Sequence, residues 1–191
     1  MNPALLKGKK VVGTEGYILG EMGDLHVDTN LWKATAFYVN LSSEAIAELN
    51  FKKQFLRKIV ICLPTSLIKA VGDIVSLNSP VSNLKDVAEK EICPTSPKVE
   101  GKKVVSTKGF VVGDVEGFDV VLDNWAVTGL QVALTDDAAT QLEFKRPFIS
   151  KVVVVIPPEA IGSIGNFVTL DKNFEDLKML VECIKSCQLK K

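Results

Sequence analysis

The sequence has few of the side chains from which catalytic and charged binding sites are usually built. It contains one histidine, His26, and its 23 basic residues are balanced by 23 acidic residues, so the formal net charge is zero. Aromatic residues make up only 7% of the chain. A neutral chain lacks the broad positive field that attracts nucleic acid or an anionic membrane, so we expect neither as a partner.

Long apolar segments are also missing. The longest apolar run, Val152 to Pro158, is far shorter than the roughly 20 residues that span a bilayer. The segment Met1 to Leu6 is too short for the apolar region of a signal peptide. We therefore expect a cytoplasmic protein with no direct membrane insertion.

The four cysteines do not form a recognisable metal or redox motif. Cys62 lies in an apolar run and is expected to be a small buried hydrophobic residue, while Cys93 lies in a linker. Cys183 and Cys187 share a face of a predicted helix, but a zinc site would need two more ligands. We expect reduced thiols, no metal and no cofactor.

A long internal repeat is the main positive feature of the sequence. The segment Gly8 to Leu41 recurs from Gly101 to Leu134 at a constant offset, 101 − 8 = 93, and the match continues without gaps to Glu89 and Glu182. A repeat of this length is a duplicated small domain, since solenoid units span about 20–50 residues. Because no histidine occurs in the second copy, no Ser-His-Asp or Cys-His pairing can recur in both copies, and we expect no enzyme.

Each copy has the pattern of several short strands separated by glycine turns. Copy one predicts strands at Tyr17 to Leu19, Asp24 to Asp28, Ala34 to Leu41 and Lys58 to Leu63, and a short helix capped by Ser42 or Ser43. We therefore predict a mainly β protein of two tandem small β-barrels, each with a short helix. The predicted domains are residues 1–92 and 100–191, with a linker at 93–99.

The C-terminal segment differs from the strand-rich part of the chain. Apolar residues recur at helical spacing between Phe174 and Cys187, which predicts an amphipathic helix. Two interpretations are open. The helix packs on its own barrel, or its apolar stripe also contacts a partner.

Two motifs could suggest a ligand site in copy one. Gly13, Gly16 and Gly20 lack the spacing of a phosphate loop, so we interpret them as turn glycines. Alternation predicts that Asp24, His26 and Asp28 point to one side of their strand; the repeat replaces them with Gly117, Asp119 and Val121. A solvated strand face is the expected interpretation, and a metal- or ligand-binding regulator is the alternative.

Basic residues form clusters in both copies. A solvated basic edge is the expected interpretation, and RNA binding is the alternative. The clusters are Lys7, Lys9 and Lys10; Lys52, Lys53, Arg57 and Lys58; Lys102 and Lys103; and Lys145 and Arg146.

The third predicted strand of each copy has an unusually apolar second face. If Phe37, Val39 and Leu41 face the core, alternate residues face outward, and an exposed apolar row is typical of a partner surface. A bulge that shifts the alternation, or a covering element, is the alternative. The candidate interface residues are Trp32, Ala34, Ala36 and Tyr38 in copy one, and Trp125, Val127 and Gln131 in copy two.

A set of spaced residues in each copy resembles the PRC-barrel domain. In copy one the set is Gly8 to Val12, Gly16 to Gly20, Trp32, Leu63, Pro64, Ile68, Gly72, Asp73, Val75 and Leu77. In copy two it is Gly109 to Gly113, Trp125, Ile156, Pro157, Ile161, Gly165, Val168 and Leu170, with Asn166 in place of the aspartate. The resemblance covers nearly the whole chain and implies a fold that serves many functions.

The tandem arrangement is most similar to archaeal PRC-barrel proteins of cell division. That resemblance implies a non-enzymatic adaptor or scaffold, recruited to the division site, that binds SepF-like or other PRC-barrel proteins near the FtsZ ring. A homo- or hetero-oligomer, such as a dimer, is then expected. The alternative is an RNA- or ribosome-associated assembly factor, because the ribosome maturation factor RimM carries the same domain.

Overall fold

The computed structural model describes residues 3–51, 58–90, 99–144, 151–173 and 175–179, apart from the side chains of residues 88–90. The strands of copy one are β1 (Lys10–Val12), β2 (Ile18–Asp28), β3 (Lys33–Leu41), β4 (Val60–Pro64), β5 (Ile68–Val71) and β6 (Val75–Leu77). The strands of copy two are β7 (Lys103–Val105), β8 (Val111–Val121), β9 (Ala126–Leu134), β10 (Val153–Ile156), β11 (Ile161–Ile164) and β12 (Val168–Leu170). The helices are α1 (Ser43–Glu48), α2 (Leu84–Lys90) and α3 (Asp136–Gln141), with single 3-10 turns at Pro3–Leu5, Thr65–Leu67, Val81–Asn83 and Pro158–Ala160. The described chain is therefore mainly β, as predicted.

The contacts divide the chain into two compact units. Unit 1 comprises Met1–Ser96 together with Val120–Val127, and unit 2 comprises Pro97–Asp119 together with Thr128–Lys191. This division differs from the predicted domains in one segment, since Val120–Val127 belongs to copy two in sequence and to unit 1 by its contacts. The predicted linker falls outside the described residues except for Val99.

The strands of copy one follow the order β4-β3-β2-β1-β6-β5. Their pairings are antiparallel, apart from the parallel pair β1–β6. All of these strands except β5 contribute buried side chains to one core, so the sheet curls around it as a small barrel. The most buried core side chains of these strands are Val11, Leu19, Met22, Phe37, Val39, Leu63, Val75 and Leu77.

Copy two repeats this strand order as β10-β9-β8-β7-β12-β11. The parallel pair recurs as β12–β7. Its core includes Val104, Leu130, Val132, Ile156 and Val168, each at most 2% exposed. The duplication found in the sequence therefore extends to strand order and to strand direction.

Strand β2 departs from the simple alternation expected from sequence. A single strand, Ile18–Asp28, replaces the two separate predicted strands, and its register with β3 shifts between Met22 and Leu25 and again between His26 and Val27. Each irregularity changes which side chains point inward. His26, which was expected on the solvated face, is consequently buried.

The short helix of each copy begins at a side-chain cap. Ser42 Oγ accepts a hydrogen bond of 3.0 Å from the Ala45 amide, which confirms the predicted capping of α1. Thr135 Oγ1 accepts the equivalent bond of 3.1 Å from the Ala138 amide at α3. A cap of this kind contributes about 1 kcal/mol to helix stability.

The predicted C-terminal helix lies partly outside the described residues. Residues 175–179 are helical, and Asn173 Oδ1 accepts a hydrogen bond of 3.0 Å from the Asp176 amide. Leu177 is buried, whereas Met179 is exposed. The described helices include none with the length and apolar character needed to cross a bilayer.

Glycine is required where β2 and β8 approach the next strand. A Cβ added to Gly20 would lie 2.1 Å from the backbone oxygen of Asn40, and one added to Gly113 would lie 2.2 Å from that of Ala133. These oxygens belong to paired strands and cannot move without disturbing the sheet. At Gly72, by contrast, an added Cβ would meet no atom within 4 Å.

We therefore predict that Gly20→Ala and Gly113→Ala each destabilise the protein. The expected loss in the free energy of unfolding is about 2 kcal/mol or more, because the new methyl group forces the paired backbones apart. Chemical denaturation followed by circular dichroism measures the loss. Gly72→Ala is the matched control and should change stability by less than about 0.5 kcal/mol. Equal midpoints for Gly20→Ala and Gly72→Ala would contradict the prediction.

Candidate protein interface

The predicted outer row of the third strand is largely buried. Ala34, Ala36, Trp125 and Val127 are at most 8% exposed, so the expectation that these four side chains form an open surface is wrong. Trp32, Tyr38 and Gln131 are half-buried. A role of these three residues in partner binding stays a prediction.

Backbone pairing inside unit 1 explains part of this burial. Ala34 N donates to the Trp125 oxygen at 2.8 Å, and Val127 N donates to the Trp32 oxygen, also at 2.8 Å. Both tryptophans have left-handed backbone conformations, with φ of 47° at Trp32 and 60° at Trp125. The start of β3 is therefore paired with the segment Val120–Val127, and that part of the row is not a free surface.

The expected alternation of β3 is nevertheless observed at its centre. Phe37 and Val39 are fully buried, and they pair with Leu63 and Ile61 of β4 on the core side. Tyr38 therefore points to the other side. The alternation was predicted well, but the exposure of the residues on that second side was not.

The second side of β3 and β4 stays open at one end. Tyr38 lies opposite Cys62, and Asn40 lies opposite Val60. Val60 is 49% exposed. We call the three residues Tyr38, Asn40 and Val60 the β4 face.

Unit 2 has an equivalent face on β9 and β10. Gln131 lies opposite Val155, and Ala133 lies opposite Val153, which is 46% exposed. Asp119 orders this face, because its carboxylate accepts hydrogen bonds from Thr128 Oγ1 at 2.7 Å and from Gln131 Nε2 at 3.3 Å. We call the residues Gln131, Val153 and Val155 the β10 face.

The two exposed valines were missed as candidate interface residues. They are identical at the repeat offset, since 153 − 60 = 93. Identity alone could not distinguish them from core valines such as Val11 and Val104. The distinguishing signal is the pairing of β4 with β3, which places Ile61 and Leu63 in the core and Val60 outside.

The three polar residues of β2 do not converge on a metal site. Asp24 is exposed and forms an ion pair of 2.8 Å with Lys7. Asp28 Oδ1 accepts hydrogen bonds from the backbone amides of Asn30 and Leu31, so it shapes the turn after β2. Within the described ranges, no group of three potential ligands is placed to hold a metal ion.

Several lysines at the start of each copy form ion pairs or hydrogen bonds within the chain. Lys10 lies 3.8 Å from Glu21, and the equivalent pair joins Lys103 and Asp114 at 3.3 Å. Lys9 Nζ donates to the Gly72 oxygen at 2.6 Å. Lys102 repeats this contact with Gly165. Lys58 is exposed, and the cluster members outside the described residues are Lys52, Lys53, Arg57, Lys145 and Arg146.

Cys62 corrects the expectation of reduced thiols. Its side chain is buried as predicted, but it is disulfide-bonded. Cys93, Cys183 and Cys187 lie outside the described residues. Disulfides persist in oxidising compartments and in the cytosol of some hyperthermophiles. The sequence could not show this bond, because none of the four cysteines has a spacing that fixes a pairing.

Comparisons with known proteins give little further guidance. A scan against protein-family models found no match, and a search of curated proteins found none. Among solved structures, the chain matches a 16S ribosomal RNA processing protein, RimM, from Pseudomonas aeruginosa. The identity is 10%, the TM-score is 0.29, and the match covers 89% of this chain and 98% of the other. We infer neither partner nor function from a likeness at this level.

The disulfide at Cys62 leads to a direct prediction. Peptide mapping by mass spectrometry without reductant should recover Cys62 joined to a second cysteine peptide. Reduction should lower the melting temperature, because a native disulfide typically contributes about 2–4 kcal/mol. Cys62→Ser should melt at the temperature of the reduced wild type and should not respond to reductant. A free Cys62 thiol in the untreated protein would contradict the prediction.

Proposed function

We propose that this chain is a non-enzymatic adaptor that binds protein partners, including further copies of itself, through the β4 and β10 faces. One observation carries the proposal. Both faces present a half-exposed valine, at equivalent positions of the repeat, on a strand that pairs on one side only. Among the described residues, β4 pairs with β3 alone and β10 pairs with β9 alone.

Open edges and exposed apolar side chains favour association for separate physical reasons. An edge strand presents unpaired backbone donors and acceptors that can pair with another chain. An exposed valine adds apolar area that becomes favourable when water is removed from it, at about 25 cal/mol per Å². Natural proteins usually place charges or proline at such edges. β4 itself ends in a proline, Pro64, so the groups available for contact are the exposed side chains of Val60 and Val153.

Two faces on one chain make the adaptor bivalent. The faces are alike in Val60 and Val153, but Tyr38 is replaced by Gln131, and Val155 of the β10 face occupies the position of the buried Cys62. Tyrosine is a favoured anchor at interfaces, whereas glutamine brings hydrogen-bonding groups. The two faces therefore suit different partners or different affinities. Contacts between unlike faces generate a ring or an open chain of subunits, and contacts between like faces generate a dimer.

The resemblance to archaeal cell-division proteins suggests which partners these are. In that setting the β4 and β10 faces would bind a SepF-like protein or other PRC-barrel proteins at the division site. The alternative, an RNA- or ribosome-associated factor, depends on the basic clusters. The ion pairs Lys7–Asp24, Lys10–Glu21 and Lys103–Asp114 reduce the positive charge available in those clusters. We therefore favour the protein adaptor.

Self-association is tested by charging the two faces. Val60→Asp and Val153→Asp, alone and together, should lower the average mass of assemblies toward the 20.8 kDa monomer, measured by light scattering after size exclusion. The desolvation of a new carboxylate opposes contact, while an exposed substitution leaves folding stability within about 0.5 kcal/mol.

Matched controls come from the repeat itself. Ile74 and Phe167 are equivalent residues with similar exposure, 42% and 53%, and both immediately precede a strand rather than lying on an open edge. Ile74→Asp and Phe167→Asp should leave the mass unchanged. Equal effects of all four substitutions would indicate nonspecific hydrophobic contact, and no effect at Val60 or Val153 would argue against self-association through these faces.

Partner identity needs a separate experiment. A photocrosslinking amino acid placed at position 60 or 153, and at position 74 as a control, would be activated in a lysate of the native host. Crosslinks to SepF-like or other division proteins that are specific to positions 60 and 153 support the division role. Crosslinks to ribosomal proteins or RNA would instead favour the assembly factor, whose binding should weaken with salt and with charge reversal of Lys9.

A further inference from the structure

Unit 1 contains a groove beside strand β5. Its volume is about 380 Å³, within the range of natural ligand sites. One wall is β5 itself, residues Ile68–Val71, and the opposite wall is formed by Leu122, Asp123 and Trp125. All of these residues belong to unit 1. The groove shares no residue with the β4 face.

The β5 wall offers backbone hydrogen-bonding groups to the groove. Among the described residues, β5 pairs only with β6. Gly72 N, just after β5, donates to the Ile74 oxygen at 2.9 Å, so the backbone groups at Gly72 and at Ala70 point toward β6. The register with β6 shifts between Ile68 and Ala70, so regular alternation applies from Ala70 onward, and the backbone groups of Val71 point away from β6. An extended polypeptide is the ligand whose own backbone matches such an edge.

The side chains of the groove narrow the choice of ligand. Lys69 on one wall and Asp123 on the other are both exposed and oppositely charged, and beside Asp123 the second wall has the half-buried Leu122 and the buried Trp125. A uniformly anionic strand such as RNA would gain from Lys69 but be repelled by Asp123. A peptide complements both walls if it places an acidic side chain near Lys69, a basic side chain near Asp123 and apolar side chains beside them.

We propose that this groove binds an extended peptide segment of a partner protein, which adds a strand to the free edge of β5. The four residues of β5 span about 13 Å, which accommodates about four residues of an added strand. The backbone pairing supplies affinity, and Lys69 and Asp123 select the charge pattern. This site is additional to the β4 and β10 faces and does not depend on them.

The test uses nuclear magnetic resonance, which detects weak binding residue by residue. The probe is a nine-residue peptide of alternating threonine and valine that carries one glutamate and one lysine two positions apart. We expect saturable shifts of the Val71 amide and of the Trp125 indole signal, on the labelled full-length chain. Absence of these shifts at millimolar peptide, or equal shifts at Val60 and Val153, would overturn the proposal.

Three variants distinguish the contribution of backbone pairing from that of charge. Val71→Ala keeps the outward amide and should weaken binding modestly, whereas Val71→Pro also removes the donor and should weaken it roughly threefold to tenfold further. Asp123→Lys should weaken binding of the glutamate-lysine peptide and strengthen that of a two-glutamate peptide, without any backbone change. Equal affinity of Val71→Ala and Val71→Pro would exclude strand addition. Tighter binding of a uridine oligonucleotide than of the peptide at this groove would overturn the peptide assignment in favour of RNA.

Discussion

The close pairing of β2, β3 and β4 is the constraint on which the fold and its surfaces depend. Gly20 lies so near the Asn40 carbonyl that a single added carbon would be 2.1 Å from the oxygen, and Gly113 has the same relation to Ala133. That contact fixes the register of the central strand β3 or β9. The register in turn places Phe37 and Val39 in the core of copy one, with Leu130 and Val132 playing the same part in copy two. Every residue proposed here for partner contact on the β4 and β10 faces owes its orientation to this register.

The contrast between the two copies separates structural from functional residues. Contacts that recur at the offset of 93 include the lysine-to-carbonyl bond of Lys9 and Lys102 and the helix caps at Ser42 and Thr135. Such recurrence is what a shared fold requires. The residues that differ, such as Tyr38 against Gln131, are free of that requirement. They are where two copies of one fold acquire different binding preferences.

Sequence patterns predicted the fold better than the surface. The mainly β class, the repeat and the capped helix at Ser42 follow from local signals, because glycine turns, alternation and capping side chains act over a few residues. Burial of Ala34 and Trp125 could not be predicted in this way, since it depends on a backbone pairing between residues about 90 positions apart. His26 was misplaced for a different reason: the irregularities in β2 change its direction, and a bulge leaves no clear mark in the sequence.

The adaptor proposal depends on where the structure leaves strand edges that pair on one side only. A barrel that closes fully has no edges to offer, whereas here β4, β5, β10 and β11 each pair on one side only within the described part of the chain. Those edges are not equivalent. At β4 and β10 an exposed valine provides apolar area for contact with a broad surface, while at β5 the segment Leu122 to Trp125 lies across a groove from the strand. A small domain with both kinds of edge can join a folded neighbour and hold a flexible segment of another protein at the same time. That combination suits a scaffold, because each contact uses groups that the barrel has already oriented and neither requires the chain to refold.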